Sequence, residues 1–97
     1  FAYFLEQLQS RKDVDGNSLL HNSMVVWGSG LADPDYHRHT DLPVVLAGHG
    51  GGTIKTGLRS ELEKDTPMSN LFLSMLDRTG VKEDRFGDST GRISQLA

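Results

Sequence analysis

Cysteine is absent from the 97-residue chain. That excludes a disulfide framework and a thiolate metal site, and it permits an oxidising compartment without choosing one. A basic excess is also missing: ten Lys and Arg against thirteen Asp and Glu leave a formal net charge of -3. A nucleic-acid partner demands a basic face, so none is expected. No apolar run approaches the roughly 18 residues that a membrane helix needs, and no membrane span is expected. There is no internal repeat and no low-complexity tract. What is present is an ordinary globular composition, 36% apolar and 24% charged. The length allows one domain at most, with a modest core.

The order of elements follows from periodicity. Phe1, Phe4, Leu5 and Leu8 make an i, i+3, i+4, i+7 stripe, which predicts a helix from about Phe1 to Arg11. That helix begins without a cap residue or an initiator Met, so we expect residues 1–97 to be a single partial domain, the C-terminal segment of a longer parent. Asp15-Gly16-Asn17 signals a turn. Residues 23–27 (Ser-Met-Val-Val-Trp) and 43–47 (Pro-Val-Val-Leu-Ala) are apolar and β-rich, and they predict two buried, neighbouring strands. Residues 53–58 suit a short edge strand or hairpin arm. A second helix is predicted over 67–79, with Thr66 as N-cap, Pro67 in the first helical position and Gly80 as the C-terminal stop. Its apolar stripe is Met68, Leu71, Phe72, Met75 and Leu76. From Val81 onward the tail is polar and is expected to lie over the surface. Continuous apolar strands suggest a sheet covered on both faces, as in α/β folds. Two strands cannot make such a sheet alone, so the partners expected are the missing N-terminal part of the parent chain or other copies in a homo-oligomer.

Three places could carry chemistry. The loop of residues 31–41 joins the two strands and holds His37 and His39 with Asp33, Asp35 and Asp41. Imidazoles and carboxylates together suit a divalent metal such as zinc, or a harder ion where oxygens dominate. The His-x-His spacing sets both rings on one side of an extended segment. The alternative is a solvated loop whose Asp and His residues cap turns. The run Gly48-His49-Gly50-Gly51-Gly52-Thr53-Ile54-Lys55 invites an anion reading through backbone N–H groups and Lys55. Its spacing matches neither the P-loop nor the dinucleotide fingerprint, and a loop needing positive φ is the plainer account. Ser29 stands between two glycines, a partial echo of a nucleophile elbow that no helix follows; a small Ser in a tight turn is the better account.

Several segments together resemble one family. They are Phe1 to Leu8, Val25-Val26-Trp27-Gly28-Ser29-Gly30, Asp41-Leu42-Pro43-Val44-Val45-Leu46-Ala47-Gly48, Thr66-Pro67-Met68-Ser69-Asn70-Leu71-Phe72, Asp77-Arg78-Thr79-Gly80-Val81 and Phe86-Gly87-Asp88-Ser89-Thr90-Gly91. The family is the bacterial domain of unknown function 1552, also called HXXSHH, and the resemblance covers nearly the whole chain. It implies a longer, exported parent, periplasmic or extracellular, whose naming histidine motif would lie upstream of Phe1. A more distant likeness joins His37-Arg38-His39-Thr40-Asp41-Leu42-Pro43-Val44 to the last metal-ligand segment of the alkaline phosphatase superfamily. There the preceding strand ends in Thr-x-Asp-His; here Gly28-Ser29-Gly30 stands in its place, so the usual two-metal site is incomplete in its standard form.

These likenesses imply an α/β fold in which the chain is the C-terminal fragment of an alkaline-phosphatase-like sandwich, two buried strands flanked by helices. The implied chemistry is metal-assisted hydrolysis of phosphate or sulfate esters, with His37 as first candidate ligand and His39 as second. The alternative is a non-catalytic binding or surface protein that kept the fold without a working site.

Overall fold

The computed structural model describes residues 1–96 and holds a mixed α/β arrangement of two helices and one two-stranded sheet. Helix α1 spans Ala2–Ser10 and has no side-chain hydrogen bond at its N-terminus. Strands β1 (Val25–Gly28) and β2 (Val44–Ala47) pair with each other. Helix α2 spans Met68–Arg78, and short 3-10 turns occupy Gly50–Gly52 and Ser94–Leu96. Residues 53–58 form no strand, contrary to the edge strand considered for them.

The two strands are neighbours, as predicted, and they run antiparallel, with Val25 opposite Ala47 and Gly28 opposite Val44. They are not buried. Trp27 is 58% exposed and Val45, directly opposite it, is 45% exposed. The reason is geometric: two strands have two free edges and two faces, and among the described residues the face carrying Trp27 and Val45 stays largely open, with the Phe1 ring stacked on Trp27 at a centroid distance of 5.1 Å. The stripe of α1 is only partly covered: Phe1 and Phe4 are exposed, while Leu5 and Leu8 are half-buried.

Helix α2 departs from expectation at both its start and its packing face. Pro67 is the N-cap, not the first helical residue, and Thr66 turns its hydroxyl back to the Glu63 carbonyl. At the other end Gly80 (φ 87) stops the helix as predicted. Its N–H bonds Asp77 O and the Val81 N–H bonds Leu76 O, so two orphan carbonyls are satisfied by a Schellman motif. The predicted stripe does not form the core. Phe72 is 37% exposed and meets Phe86 edge-on, whereas the buried side chains are Ser69, Asn70, Leu73 and Ser74 on a different face.

The tail explains this choice of face. It turns back along α2 and is held by hydrogen bonds. Ser69 donates to Asp88, Asn70 exchanges two bonds with Thr90, and Ser74 Oγ accepts from Ile93 N at 2.8 Å. An irregular backbone can be buried only where its polar groups find partners, and the small hydroxyls of α2 supply them. Leu73, Ile54 and Ile93 are the buried apolar side chains among the described residues. Lys55 N donates to Leu96 O and fastens the end of the tail to the segment after β2.

Arg92 of the tail makes a two-pronged ion pair with Asp77 of α2. The Arg92 hydrogen bond holds the Asp77 carboxyl below the usual aspartate range, with the positive charges of Arg92, Lys82 and Arg78 acting in the same sense. A depressed folded-state pKa contributes stability that is present above the unfolded value and is lost as pH falls through the folded one. We therefore expect Asp77→Asn to lower the thermal midpoint at pH 7 and the two proteins to converge in acid. Parallel melting curves for the two proteins from pH 7 down to pH 2 would contradict the assignment.

Candidate functional site

The loop between the strands is a small hairpin of its own. Asp33 and Arg38 bridge, Ala32 N bonds Arg38 O, and Arg38 N bonds Asp33 O. The Asp33 carboxylate accepts from the N–H groups of Asp35 and Tyr36, so it is engaged in closing the turn. His37 sits at the tip, exposed, with φ 50. The segment is therefore not extended at His37, and the premise that set the two rings on one side does not hold. Asp41 also takes a left-handed conformation, φ 54.

His39 is exposed but anchored. Its Nδ1 lies 3.0 Å from the Gly30 carbonyl. A carbonyl can only accept, so Nδ1 donates; in the neutral ring Nε2 then has the lone pair. Metal-binding histidines are typically oriented in this way, by a hydrogen bond from the nitrogen that does not ligate. A further ligand set is not assembled around it: among the described residues no three His, Asp or Glu side chains converge on one point. Residues His37 and His39 are thus placed in one loop, and Asp33 is committed to the backbone.

Ser29 is turned inward on its own loop. Its hydroxyl donates to Leu31 O and accepts from Leu31 N. Both bonds close the turn at residues 29–31, and among the described residues no imidazole is bonded to this hydroxyl.

The glycine run is the most tightly specified part of the chain. Gly48 has φ 94, and a Cβ added there would lie 2.1 Å from Ser23 O. The backbone of β2 thus passes against the turn at residues 20–23 at a distance that only glycine allows. The amides after it are spoken for: His49 N bonds Leu20 O, Gly50 N bonds Ser23 O and Gly51 N bonds His21 O. Gly52, Thr53 and Ile54 all donate to His49 O. An anion cradle needs free N–H groups aimed outward, and the N–H groups of residues 49–54 are already committed, so the anion reading fails on geometry.

Comparison with protein-family models, curated proteins and solved structures finds no match to this chain. The residues must then speak for themselves. Two features beyond the sequence reading emerge from them. One is the contact between His21 and His49, whose rings stack with centroids 5.4 Å apart. His49 belongs to the glycine run but His21 lies in no motif, and their pairing depends on the Gly48 close approach, which no local pattern announces. The other is an open apolar groove of about 380 Å³ lined by Met24, Phe72, Met75, Leu76, Thr79 and Phe86. It occupies the α2 stripe that was expected to be core.

Proposed function

We propose that this chain is a non-catalytic docking segment that completes a larger α/β body, either the remainder of its own polypeptide or further copies of itself. The observation that carries this reading is surface. The chain exposes 7006 Å², whereas a compact monomer of 10.7 kDa exposes about 5,500 Å² by the usual scaling. The excess of about 1,500 Å² is in the range one partner contributes to a large, obligate interface. The radius of gyration, 14.6 Å, exceeds the roughly 12.5 Å of a compact domain of this length in the same sense. The exposed surface includes apolar side chains in two places, the Phe1–Trp27–Val45 face and the groove beside Phe72. Contiguous apolar surface of this kind marks interaction sites.

The larger body we have in mind is the alkaline-phosphatase-like sandwich that the sequence resemblance implies, in an exported bacterial protein. In that setting other strands would pair with the free edges of β1 and β2, and an element packed on the sheet would cover Trp27 and Val45. Sedimentation of the isolated chain tests the reading. Concentration-dependent association is expected, weakened by Trp27→Ser together with Phe72→Ser. A monomer that unfolds cooperatively and binds no hydrophobic dye would overturn it.

A second reading keeps the hydrolase. It is favoured by one observation, the His39 ring held through Nδ1 with Nε2 free. A divalent metal such as zinc, taken by His39 with His37 and completed by residues outside this chain, would polarise a phosphate or sulfate ester. In that case His39→Ala in the longer protein lowers bound metal after dialysis, and Gly30 acts as the orienting carbonyl. Equal metal content in wild type and variant, or none in either, would return the case to the docking role.

A further inference from the structure

On the premise of the docking role, we infer that the outer edge of β1 pairs antiparallel with β1 of a second copy of this chain, joining two hairpins into one four-stranded sheet. The hydrogen-bond pattern identifies the groups that are free to do so. Ser29 N donates to Pro43 O, and the register of the ladder sets these two residues opposite each other. Bonded and non-bonded pairs alternate along an antiparallel ladder, so Trp27 with Val45 and Val25 with Ala47 are bonded pairs. The N–H and C=O groups of Val26 and Gly28 then point away from β2, and those of Val44 and Leu46 point away from β1. Among the described residues no third strand lies along either edge.

The two edges differ in chemistry. An open edge is normally guarded by charge or by proline. β2 has such guards, Asp41 and Pro43, at its start. The stretch from Asn22 to Ala32, which contains β1, has neither a charged residue nor a proline. A second β1 laid alongside therefore meets no like charge. Pairing about Val26 sets Val26 opposite Val26 of the second copy and joins their free backbone groups. The same register sets Trp27 opposite Val25 of the second copy, twice by symmetry, on the open face of the sheet. Trp27, 58% exposed beside Phe1, gains a β-branched neighbour there. Two strands alone make a marginal sheet, and a second hairpin brings the number to four. The surface excess of about 1,500 Å² is larger than the roughly 800 Å² that each partner gives to a standard interface.

The whole wild-type chain carries the test. Sedimentation gives the midpoint of association, and hydrogen exchange is followed at concentrations well below and well above it. The Val26 and Gly28 amides should exchange about tenfold or more slowly in the concentrated sample. The Val44 and Leu46 amides, on the far edge, should change less than about twofold. Val26→Pro removes an outward N–H and leaves the bonds to β2 in place, and it should weaken association about tenfold or more. If that variant fails to fold, exchange in the wild type decides alone. Unchanged association of a folded Val26→Pro, or association in which Val26 and Gly28 do not slow, would overturn the β1 pairing and leave the docking role standing. A chain that stays monomeric would overturn both.

Discussion

Gly48→Ala is expected to cost about 4 kcal/mol, enough to unfold much of a chain of this size at room temperature. The cost has two sources. An alanine at φ 94 is strained wherever it sits, and its Cβ would lie 2.1 Å from Ser23 O and 2.8 Å from Ser23 C. Both contacts are with backbone, which cannot rotate away as a side chain can. Relief requires β2 to lift off the turn, breaking the bonds from His49 and Gly50 to Leu20 and Ser23. Gly51→Ala separates the two sources, because Gly51 also has positive φ but nothing within 4 Å of its added Cβ. That substitution should cost only about 1 kcal/mol. Urea denaturation of both variants decides the matter. Equal destabilisation would mean that the close approach to Ser23 carries no weight.

Leu73→Ala is the second large effect, about 2–5 kcal/mol. Leu73 is 0% exposed, and truncation leaves a cavity between α2 and the tail that the hydrogen-bonded backbone of residues 89–93 cannot collapse to fill. Phe72→Ala, one position away, removes a larger side chain but should cost only about 1 kcal/mol, since Phe72 lies half in solvent with one edge contact to Phe86. The ranking is counter to side-chain size. A larger loss at Phe72 than at Leu73 would show that the groove is occupied in solution.

These two positions also mark where the sequence was legible. Helix α2 could be read because its 3.6-residue period is local and Gly80 ends it. Which face it buries could not. The apolar stripe argued for Met68, Leu71, Phe72, Met75 and Leu76, and the competing face of Ser69, Asn70, Leu73 and Ser74 wins because a tail some twenty residues on supplies matching donors and acceptors. β1 and β2 were legible as strands and as neighbours from their β-rich composition. Their exposure was not, because burial belongs to whatever lies over a strand and composition records only a readiness for it. In the site, the residue types of the His37–His39 loop were plain. Their geometry turned on the left-handed backbone at His37 and on a carbonyl nine positions upstream of His39. The anion reading of the glycine run failed for a related reason: the pattern shows that N–H groups are there, not where they point.

The seam between α2 and the tail has a thermal consequence. It is lined by hydroxyls, an amide and a carboxylate, with Leu73 and Ile93 as its apolar content. Exposing apolar surface raises the heat capacity on unfolding by about 0.45 cal/K/mol per Å², and exposing polar surface lowers it by about 0.26. Opening a mostly polar seam therefore changes heat capacity little. The enthalpy that closes it varies slowly with temperature, so this half of the molecule has a flat stability curve and keeps its hold on cooling. The apolar faces beside Trp27 and Phe72 behave oppositely. Whatever covers them is bound through a strongly temperature-dependent enthalpy, and that attachment weakens in the cold while the tail stays fastened.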